Sequence, residues 1–406
     1  MVGIGDWRSC PLLVKANDKW ESFSKEEQVG VAVAGSATLA LAGVFIYRRY
    51  SGASKNRPTI FELSGGSIEK DKVKNEWDNY ESSYGKEAGE GIKDRSKTVQ
   101  LVDVFYSLVT DIYEYGWGQS FHFSPKLPGK NWVASEAAHE ARVAVELGLR
   151  PGMKVLDCGC GVGGPMRTVA SVSGAHVTGI TINQYQVDRA THHNARLGVA
   201  PLADVVRGNF CELPFPPNTF DAAYAIEATC HAAKLEDVYG QIFQALKPGG
   251  VFLSYEWVST KDFDAANPEH VRIIDEINFG NGLPEMRTWQ QAEDAGKAVG
   301  FKLVTSLDLA VASQVADGWW KRLEELAWQN EVSHVAVSTL DALWLAPKGL
   351  KEVSHVAVST LDALWLAPKG LKEVHNMLRN VARSLVAGGQ TGVFSPMHML
   401  VFQKPK

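Results

Sequence analysis

From residue 134 onward the chain alternates short apolar runs with longer stretches whose apolar residues recur every three or four positions. The first pattern is typical of buried strands and the second of amphipathic helices. The predicted strands cover residues 154–158, 176–182, 203–206, 220–226, 251–257 and 392–403. The predicted helices cover residues 134–147, 165–173, 184–197, 235–246 and 376–385. This order predicts an α/β fold with a mostly parallel sheet, helices on both faces and an antiparallel last strand.

The N-terminal part has a different pattern. A polar segment, residues 1–28, precedes an uncharged apolar run at residues 29–47, which would be about 28 Å long as a helix. Four basic residues follow it closely: Arg48, Arg49, Lys55 and Arg57. The positive-inside rule then predicts a single transmembrane anchor, with the catalytic part of the chain in the cytosol. A buried core helix and a secretory signal are the alternatives, and the long N-terminal segment of mixed charge disfavours the signal.

Two further segments precede the alternating region. Residues 48–98 are rich in charge and glycine, which predicts a tether and a charged surface segment. Residues 99–130 begin with apolar positions at helical spacing and continue into residues 113–123, here called the aromatic segment, with five aromatic residues in eleven. The aromatic segment is either a loop that plugs the core or a lid whose aromatic faces cover a ligand. Such faces attract cations.

A glycine-rich turn follows the first predicted strand. Gly159, Gly161 and Gly164 satisfy the pattern G-x-G-x-x-G, which alone is a weak signal for a nucleotide-like ligand. A nicotinamide dinucleotide site would need an acidic residue at the end of the second strand, and residues 176–183 contain none. Asp157 instead stands just before the turn, where it could contact an amine and a positive charge. This favours S-adenosylmethionine over a structural glycine turn.

Ligand contacts in a parallel sheet are expected at the carboxyl ends of the strands. The predicted cofactor-binding residues all lie at or just beyond such ends: Asp157, Gly159, Gly161, Gly163, Thr181, Asn183, Gln186, Asn209, Phe210 and Glu227.

Composition excludes several classes of function. The chain has 406 residues, 45% of them hydrophobic, and can bury a large core. Its net charge of −5 gives no basic surface, so nucleic acid is not an expected partner. The five cysteines lack paired spacing, which predicts a reduced domain without disulfides or a metal site.

Four stretches in combination resemble the sterol 24-C-methyltransferases, within the larger group that includes the cyclopropane fatty acid synthases. They are residues 113–123, 156–165, 226–232 and 255–257. The resemblance covers roughly residues 75–330 and 373–406. It implies a Rossmann-like class I fold that uses S-adenosylmethionine, with residues 131–262 as the cofactor-binding core and 263–406 as the sterol methyltransferase region. It further implies an endoplasmic-reticulum membrane location, self-association, and methyl transfer to C-24 of a Δ24-sterol such as cycloartenol.

The chemistry implied by this resemblance passes through a carbocation on the sterol side chain. Aromatic faces can hold such a cation without reacting with it. The candidates are Tyr113, Tyr115, Trp117, Phe121, Tyr255 and Trp257. A base must then remove a proton, and the candidates are His231, which is favoured, Glu227, His122 and Glu114. Two other functions stay open: a C-methyltransferase acting on a prenyl or acyl lipid, and a non-catalytic, membrane-tethered protein that binds S-adenosylmethionine.

The C-terminal region contains an internal repeat. Residues 331–351 and 352–372 are identical over 21 positions. Repeat architectures have diverged copies and usually need at least three of them. One copy is therefore predicted to be surplus, so that one packs as a helix and the other forms a loop.

Overall fold

The structure is a computed structural model that describes residues 68, 72–85, 91–312, 317–325 and 371–406. The helices of this part are α1 (Val73–Ser82), α2 (Thr98–Gly116), α3 (Trp132–Glu146), α4 (Gly164–Ser173), α5 (Gln184–Arg196), α6 (Leu235–Ala245), α7 (Pro268–Gly280), α8 (Trp289–Ala298), α9 (Leu309–Ala312) and α10 (Leu371–Thr391). The strands are β1 (Lys154–Cys158), β2 (His176–Thr181), β3 (Ala203–Arg207), β4 (Phe220–Ile226), β5 (Leu246–Ser259), β6 (Arg287–Thr288), β7 (Lys302–Asp308) and β8 (Phe394–Gln403).

The strands form one mixed sheet in the order β3-β2-β1-β4-β5-β8-β7, with β6 paired to β5. Strands β1 to β6 pair in parallel, and β8 runs antiparallel between β5 and β7. The predicted α/β sheet and its antiparallel last strand are confirmed. Strand β5 begins earlier than the predicted residue 251, because Leu246 already pairs with Phe220 before the chain bulges at Gly249 (φ +80°).

Each face of the sheet carries its own apolar layer because neighbouring residues of a strand point to opposite sides. Val155 of β1 packs into the layer with Val169 of α4, whereas Leu156 packs into the layer with Tyr239 of α6. Burial of a side chain of this size contributes roughly 1.5–3 kcal/mol. Packing on both faces stabilises the sheet, so that its strand ends can position the residues of a site.

The charged stretch before α2 was predicted to be a surface segment, and this is wrong for part of it. Trp77 and Tyr80 of α1 and the following Tyr84 are buried, and they contact Phe279 and Phe105. These aromatic residues recur every three or four positions among charged ones, so α1 is amphipathic and packs its apolar side. Residues 73–84 therefore belong to the catalytic domain.

Several predictions fall on residues outside the described part. They are the anchor at 29–47, the polar segment before it, the first stretch of the tether, and almost all of the repeat at 331–351 and 352–372. Within the described ranges, no helix is both long enough and apolar enough to cross a bilayer.

Candidate active site

A cavity of about 180 Å³ opens at the carboxyl ends of β1 to β4 and is here called the strand-end cavity. Most of its wall residues follow these strands, among them Gly159, Cys160, Gly161, Val162, Thr181, Ile182, Gln186, Asn209, Phe210, Glu227 and Ala228, and the rest come mainly from α2 and the aromatic segment. Parallel strands bring their carboxyl ends to one edge, so the sheet collects these separate turns around one space.

The glycine turn lines this cavity through its backbone. Gly159 has φ +84°, and its N–H donates to the carbonyl of Ile180 at 2.9 Å. A Cβ on Gly159 would lie 2.3 Å from Cβ of Ala228, so no larger residue fits. Gly161 has φ +52°, and a Cβ on it would lie in van der Waals contact with the ring of Phe121, at 3.7 Å. Gly163 does not line the cavity; it begins α4 in a left-handed conformation and packs on Arg167 and Ala190.

The polar wall residues are held by hydrogen bonds to one another. Thr181 Oγ1 donates to Gln186 Oε1 at 2.6 Å, and Gln186 Nε2 donates to Thr110 Oγ1 at 3.3 Å. Asn209 Oδ1 accepts the N–H of Cys211 at 2.9 Å. These contacts orient the side chains, and their predicted role in binding stays a prediction.

Besides Gly163, two more predicted cofactor residues do not line the cavity. Asn183 caps α5 by accepting the N–H of Gln186, and its amide donates to Asp103 Oδ1 at 2.6 Å. Asp157 lies buried in the sheet, where its carboxyl group accepts the hydroxyl of Tyr224 at 2.9 Å. Burial raises the pKa of Asp157 to about 7. Asp157 thus bonds to Tyr224 in this structure, and its direct contact with a ligand amine stays a prediction.

A second, smaller cavity of about 40 Å³ adjoins the first and is here called the aromatic cavity. Its walls are Phe105, Tyr106, Tyr113, Phe121, Glu227, Cys230, His231, Trp257, Asn281 and Leu283. Tyr106, Phe121, Glu227 and His231 line both cavities. These four residues thus mark the boundary where a group could pass from one cavity to the other.

Glu227 is buried at this boundary in an unusual backbone conformation. Its φ of +52° is rare for a residue with a side chain and turns the carboxyl group toward the cavities. Oε1 accepts the N–H of Phe123 at 2.8 Å, and Oε2 accepts the indole N–H of Trp257 at 2.7 Å. Burial raises the pKa of Glu227 to about 8. A cation in either cavity would favour the ionised carboxylate.

His231 follows Glu227 closely and is buried with it. Its Nδ1 lies 3.3 Å from the carbonyl of Gly282, which can only accept a hydrogen bond. The proton of the neutral ring is therefore assigned to Nδ1, and Nε2 accepts the hydroxyl of Tyr106 at 2.8 Å. Burial lowers the pKa of His231 to about 4, so the ring is neutral and keeps a lone pair toward Tyr106.

The structure separates the predicted aromatic residues. Tyr113, Phe121 and Trp257 line the aromatic cavity. Trp117 does not, because the guanidinium of Arg322 covers its ring at 3.7 Å. Tyr255 stacks on His139 at 4.2 Å and lines neither cavity. Tyr115 lies in α2, and its side chain is outside the described part.

Two predicted bases are engaged elsewhere. Glu114 is buried between α2 and α5, where it accepts from His193 at 2.5 Å and Arg189 at 2.7 Å. Burial alone would raise the pKa of Glu114, but these hydrogen bonds outweigh it and lower the pKa to about 2. Glu114 lines neither cavity and links two helices, so its prediction as a base is wrong.

His122 lines the strand-end cavity but lacks a free lone pair. Its Nδ1 faces the carbonyl of Phe123 at 2.8 Å, and its Nε2 faces Glu140 Oε1 at 3.0 Å. Both partners accept, so both nitrogens must carry a proton. Burial disfavours this charge, yet the hydrogen bond and charge of Glu140 outweigh it and raise the pKa of His122. A doubly protonated ring cannot act as the predicted base.

The sequence did not assign a chemical role to one residue that lines both cavities. Tyr106 belonged only to the apolar positions at helical spacing within residues 99–130. The helical spacing around Tyr106 indicated which face of α2 is buried. It could not indicate that this face meets His231, 125 residues later.

Sequence comparison places the chain among known proteins. The model of the methyltransferase domain matches residues 156–254, and that of the sterol methyltransferase C-terminal region matches residues 351–406. Squalene methyltransferase 1 of Botryococcus braunii is 48% identical over 92% of this chain and 94% of its own length. Botryococcene C-methyltransferase of the same alga is 46% identical over 92% and 94%. The 24-methylenesterol C-methyltransferase 2 of Arabidopsis thaliana is 44% identical over 91% and 96%.

Solved structures support the fold. The cyclase SpnF has a TM-score of 0.56 at 21% identity and covers 76% of this chain and 97% of its own. The cyclopropane synthase MmaA2 of Mycobacterium tuberculosis has a TM-score of 0.53 at 16% identity and covers 75% and 95%. At these identities the likeness concerns the fold alone. It agrees with the mixed sheet.

Proposed function

The chain belongs to the sterol C-methyltransferase family and is an S-adenosylmethionine-dependent C-methyltransferase, and from that premise we propose that it methylates C-24 of a Δ24-sterol. The observation that carries the proposal is the pair of adjoining cavities that share Glu227, His231, Tyr106 and Phe121. One cavity suits the methyl donor and the other the end of an apolar side chain. A methyl group crossing the boundary would meet an alkene carbon there.

The strand-end cavity fits the donor. Gly159 and Gly161 bring backbone without bulky side chains to its wall, and Asn209 and Phe210 offer an amide and a ring for an adenine. S-adenosylmethionine supplies a methyl group on a positively charged sulfur. Glu227 faces this charge with a carboxylate, and the hydrogen bonds from Phe123 and Trp257 fix its direction. An electrostatic group fixed in advance costs no reorganisation when the methyl moves.

The aromatic cavity suits a short-lived carbocation. When the alkene attacks the methyl group, positive charge develops on the neighbouring carbon of the acceptor. Tyr113, Phe121 and Trp257 surround this cavity with aromatic faces, each worth about 0.5–2 kcal/mol to a cation. Cys230 also lines it, but burial raises the pKa of its thiol well above the usual value. The thiol stays protonated and does not trap the cation.

Squalene is the second candidate acceptor. The two squalene methyltransferases of Botryococcus braunii are 48% and 46% identical to this chain, slightly more than the 24-methylenesterol enzyme at 44%. Squalene ends in the same trisubstituted alkene as the side chain of a Δ24-sterol. The aromatic cavity, at about 40 Å³, has room only for such an end group and does not separate the two acceptors.

An acceptor panel tests the proposal. The full chain is incubated with methyl-labelled S-adenosylmethionine and, separately, cycloartenol, zymosterol, 24-methylenelophenol, squalene or a sterol with a saturated side chain. We expect label in at least one unsaturated sterol and none in the saturated one. Label in squalene alone would show that the acceptor is squalene, the second candidate, and not a sterol. Label in none of them, with the cofactor still bound, would move the assignment to a prenyl or acyl lipid or to a non-catalytic protein.

Four further features stay predictions beside this function. A lipid acceptor is consistent with the predicted membrane anchor at residues 29–47 and with an endoplasmic-reticulum location. Self-association and the absence of a nucleic-acid partner are likewise predictions from the sequence and the resemblance.

A further inference from the structure

The proposed reaction leaves one step without a residue, because the carbocation must lose a proton to become an alkene. The group that accepts this proton must have a lone pair and must face the boundary between the two cavities. Within the described residues, the titratable side chains that line both cavities are Tyr106, Glu227 and His231.

Glu227 is the less suitable acceptor of the three. Both of its oxygens accept hydrogen bonds, from Phe123 and from Trp257. Its carboxylate is also the negative charge that stabilises the cation, and protonation would remove that charge while the cation still exists. A second acceptor would let Glu227 keep its charge through the whole step.

Tyr106 and His231 are joined by a hydrogen bond in which the tyrosine is the donor and the histidine is the acceptor. The tyrosine hydroxyl donates to Nε2 of His231 at 2.8 Å, and Nδ1 of His231 donates to the Gly282 carbonyl at 3.3 Å. The phenol oxygen therefore keeps a lone pair while its own proton already points at an acceptor. Because Gly282 holds Nδ1–H, the ring can take a second proton without turning.

We infer that Tyr106 is a catalytic residue, which receives the proton lost by the methylated carbocation and passes its own proton to His231. In this step a C–H bond breaks beside the cationic carbon, and its electron pair becomes the second bond of the product alkene. The released proton goes to the oxygen of Tyr106 as the tyrosine proton moves to Nε2 of His231. The substrate loses one positive charge and the imidazole gains it.

The inference rests on the proposed function and adds two expectations about its chemistry. A carbocation is so strong an acid that even a weakly basic pair can quench it, so a neutral buried histidine is sufficient. The position of the pair would also decide which neighbouring C–H bond breaks. Tyr106 and His231 would therefore determine which alkene isomer forms more than how fast the methyl group is transferred.

The test compares Tyr106→Phe and His231→Gln with Tyr84→Phe and Glu227→Gln. Tyr84 is the matched control. It is a buried tyrosine whose hydroxyl donates to a backbone carbonyl, that of Leu283, and it lines neither cavity. Each full-length variant is given squalene and cycloartenol. Formation of S-adenosylhomocysteine, the ratio of product alkenes and the cofactor Kd are measured.

We expect Tyr106→Phe and His231→Gln to change the ratio of product alkenes far more than the rate of S-adenosylhomocysteine formation, since the methyl moves before the proton is lost. The share of the wild-type alkene relative to other isomers should fall at least tenfold, because a positioned base contributes roughly 10²–10⁴-fold. Tyr84→Phe should keep the wild-type ratio. Glu227→Gln should slow S-adenosylhomocysteine formation and keep the ratio.

Three results would overturn the inference, and they differ from one another. Unchanged isomer ratios in Tyr106→Phe and His231→Gln, with wild-type enzyme active, would reject the relay and leave the proposed function intact. A shifted ratio in Glu227→Gln alone would assign the proton to that carboxylate. Failure of the wild-type enzyme to methylate either acceptor would reject the proposed function and the relay together.

Discussion

The strand-end cavity and the aromatic cavity share a boundary but are built in different ways. The first is lined largely by turns that directly follow β1 to β4, and its closest contacts involve backbone, as at Gly159. The second combines side chains from α2, the aromatic segment, β5 and the loop after α7. A substitution that alters the backbone conformation should therefore abolish ligand binding in the strand-end cavity. A substitution of a side chain in the aromatic cavity should change the chemistry of the site while the fold persists.

The largest expected effect comes from a change in the glycine turn of the strand-end cavity. Gly159→Ala places a Cβ 2.3 Å from Ala228 and strains a residue at φ +84°. Strain and overpacking of this kind each cost about 1–3 kcal/mol. We expect binding of S-adenosylmethionine, measured by calorimetry, to weaken at least about 100-fold. Gly198→Ala is the matched control, because Gly198 has φ +72° with open space around it. Equal binding by both variants would contradict the steric argument.

The next effect tests the side chains at the boundary. Glu227→Gln keeps the shape of the carboxyl group but removes its charge. Loss of one such fixed electrostatic group typically lowers turnover about 10²–10³-fold. We expect that loss in single-turnover methyl transfer, with the cofactor Kd changed no more than about fivefold. Glu212→Gln, on the exposed surface, should leave both unchanged. Wild-type turnover in Glu227→Gln would show that the charge of Glu227 does not contribute to methyl transfer.

A smaller effect separates a structural carboxylate from a catalytic one. Glu114 is buried and paired with Arg189 and His193. Breaking a buried ion pair by removing one charge costs about 3–5 kcal/mol. We expect Glu114→Gln to lower the free energy of unfolding in urea by about 3 kcal/mol while the product alkenes stay the same. Glu269→Gln, in an exposed pair, should leave the free energy of unfolding nearly unchanged. A changed product ratio in Glu114→Gln would restore it as a candidate base.

The smallest expected effect is a pH dependence from Asp157, behind the glycine turn. Its pKa in the folded chain is raised by burial to about 7, above the ordinary 3.8. Between these values the folded chain keeps a proton that the unfolded chain has lost. This stability is therefore fully present below about pH 4 and is lost as pH rises through about 7.

The check is urea unfolding of the cofactor-free protein at pH 5 and pH 7.5. We expect the wild type to lose on the order of 2 kcal/mol more than Asp157→Asn over this interval. Asp294→Asn, in an exposed pair with Lys297, should follow the wild type. An identical decline in Asp157→Asn would show that the carboxyl group of Asp157 is ionised in the fold.

Much of the strand-end cavity was predictable from the sequence. The predicted bounds of β1 and β4 agree with the structure, and Thr181, Asn209 and Glu227 were expected at strand ends. The reason is local, because apolar periodicity fixes where a strand ends and a parallel sheet brings those ends together. Asp157 and Asn183 do lie beside strand ends that form the site, but their side chains bond to Tyr224 and Asp103 and do not line the cavity. The position of a residue in the sequence does not determine which way its side chain points.

The sequence by itself determined β1 to β5, β8 and the helices α3 to α6, together with the order of these βα units, the glycine turn and the family. Each of these depends on residues close together along the chain or on motifs with fixed spacing. Only the tertiary structure decided that Tyr106 meets His231, that Arg322 covers Trp117, and that Glu114 binds two helices together. These contacts join residues 75 to 205 positions apart. Packing and desolvation across that distance, rather than local propensity, choose their partners and shift their pKa values.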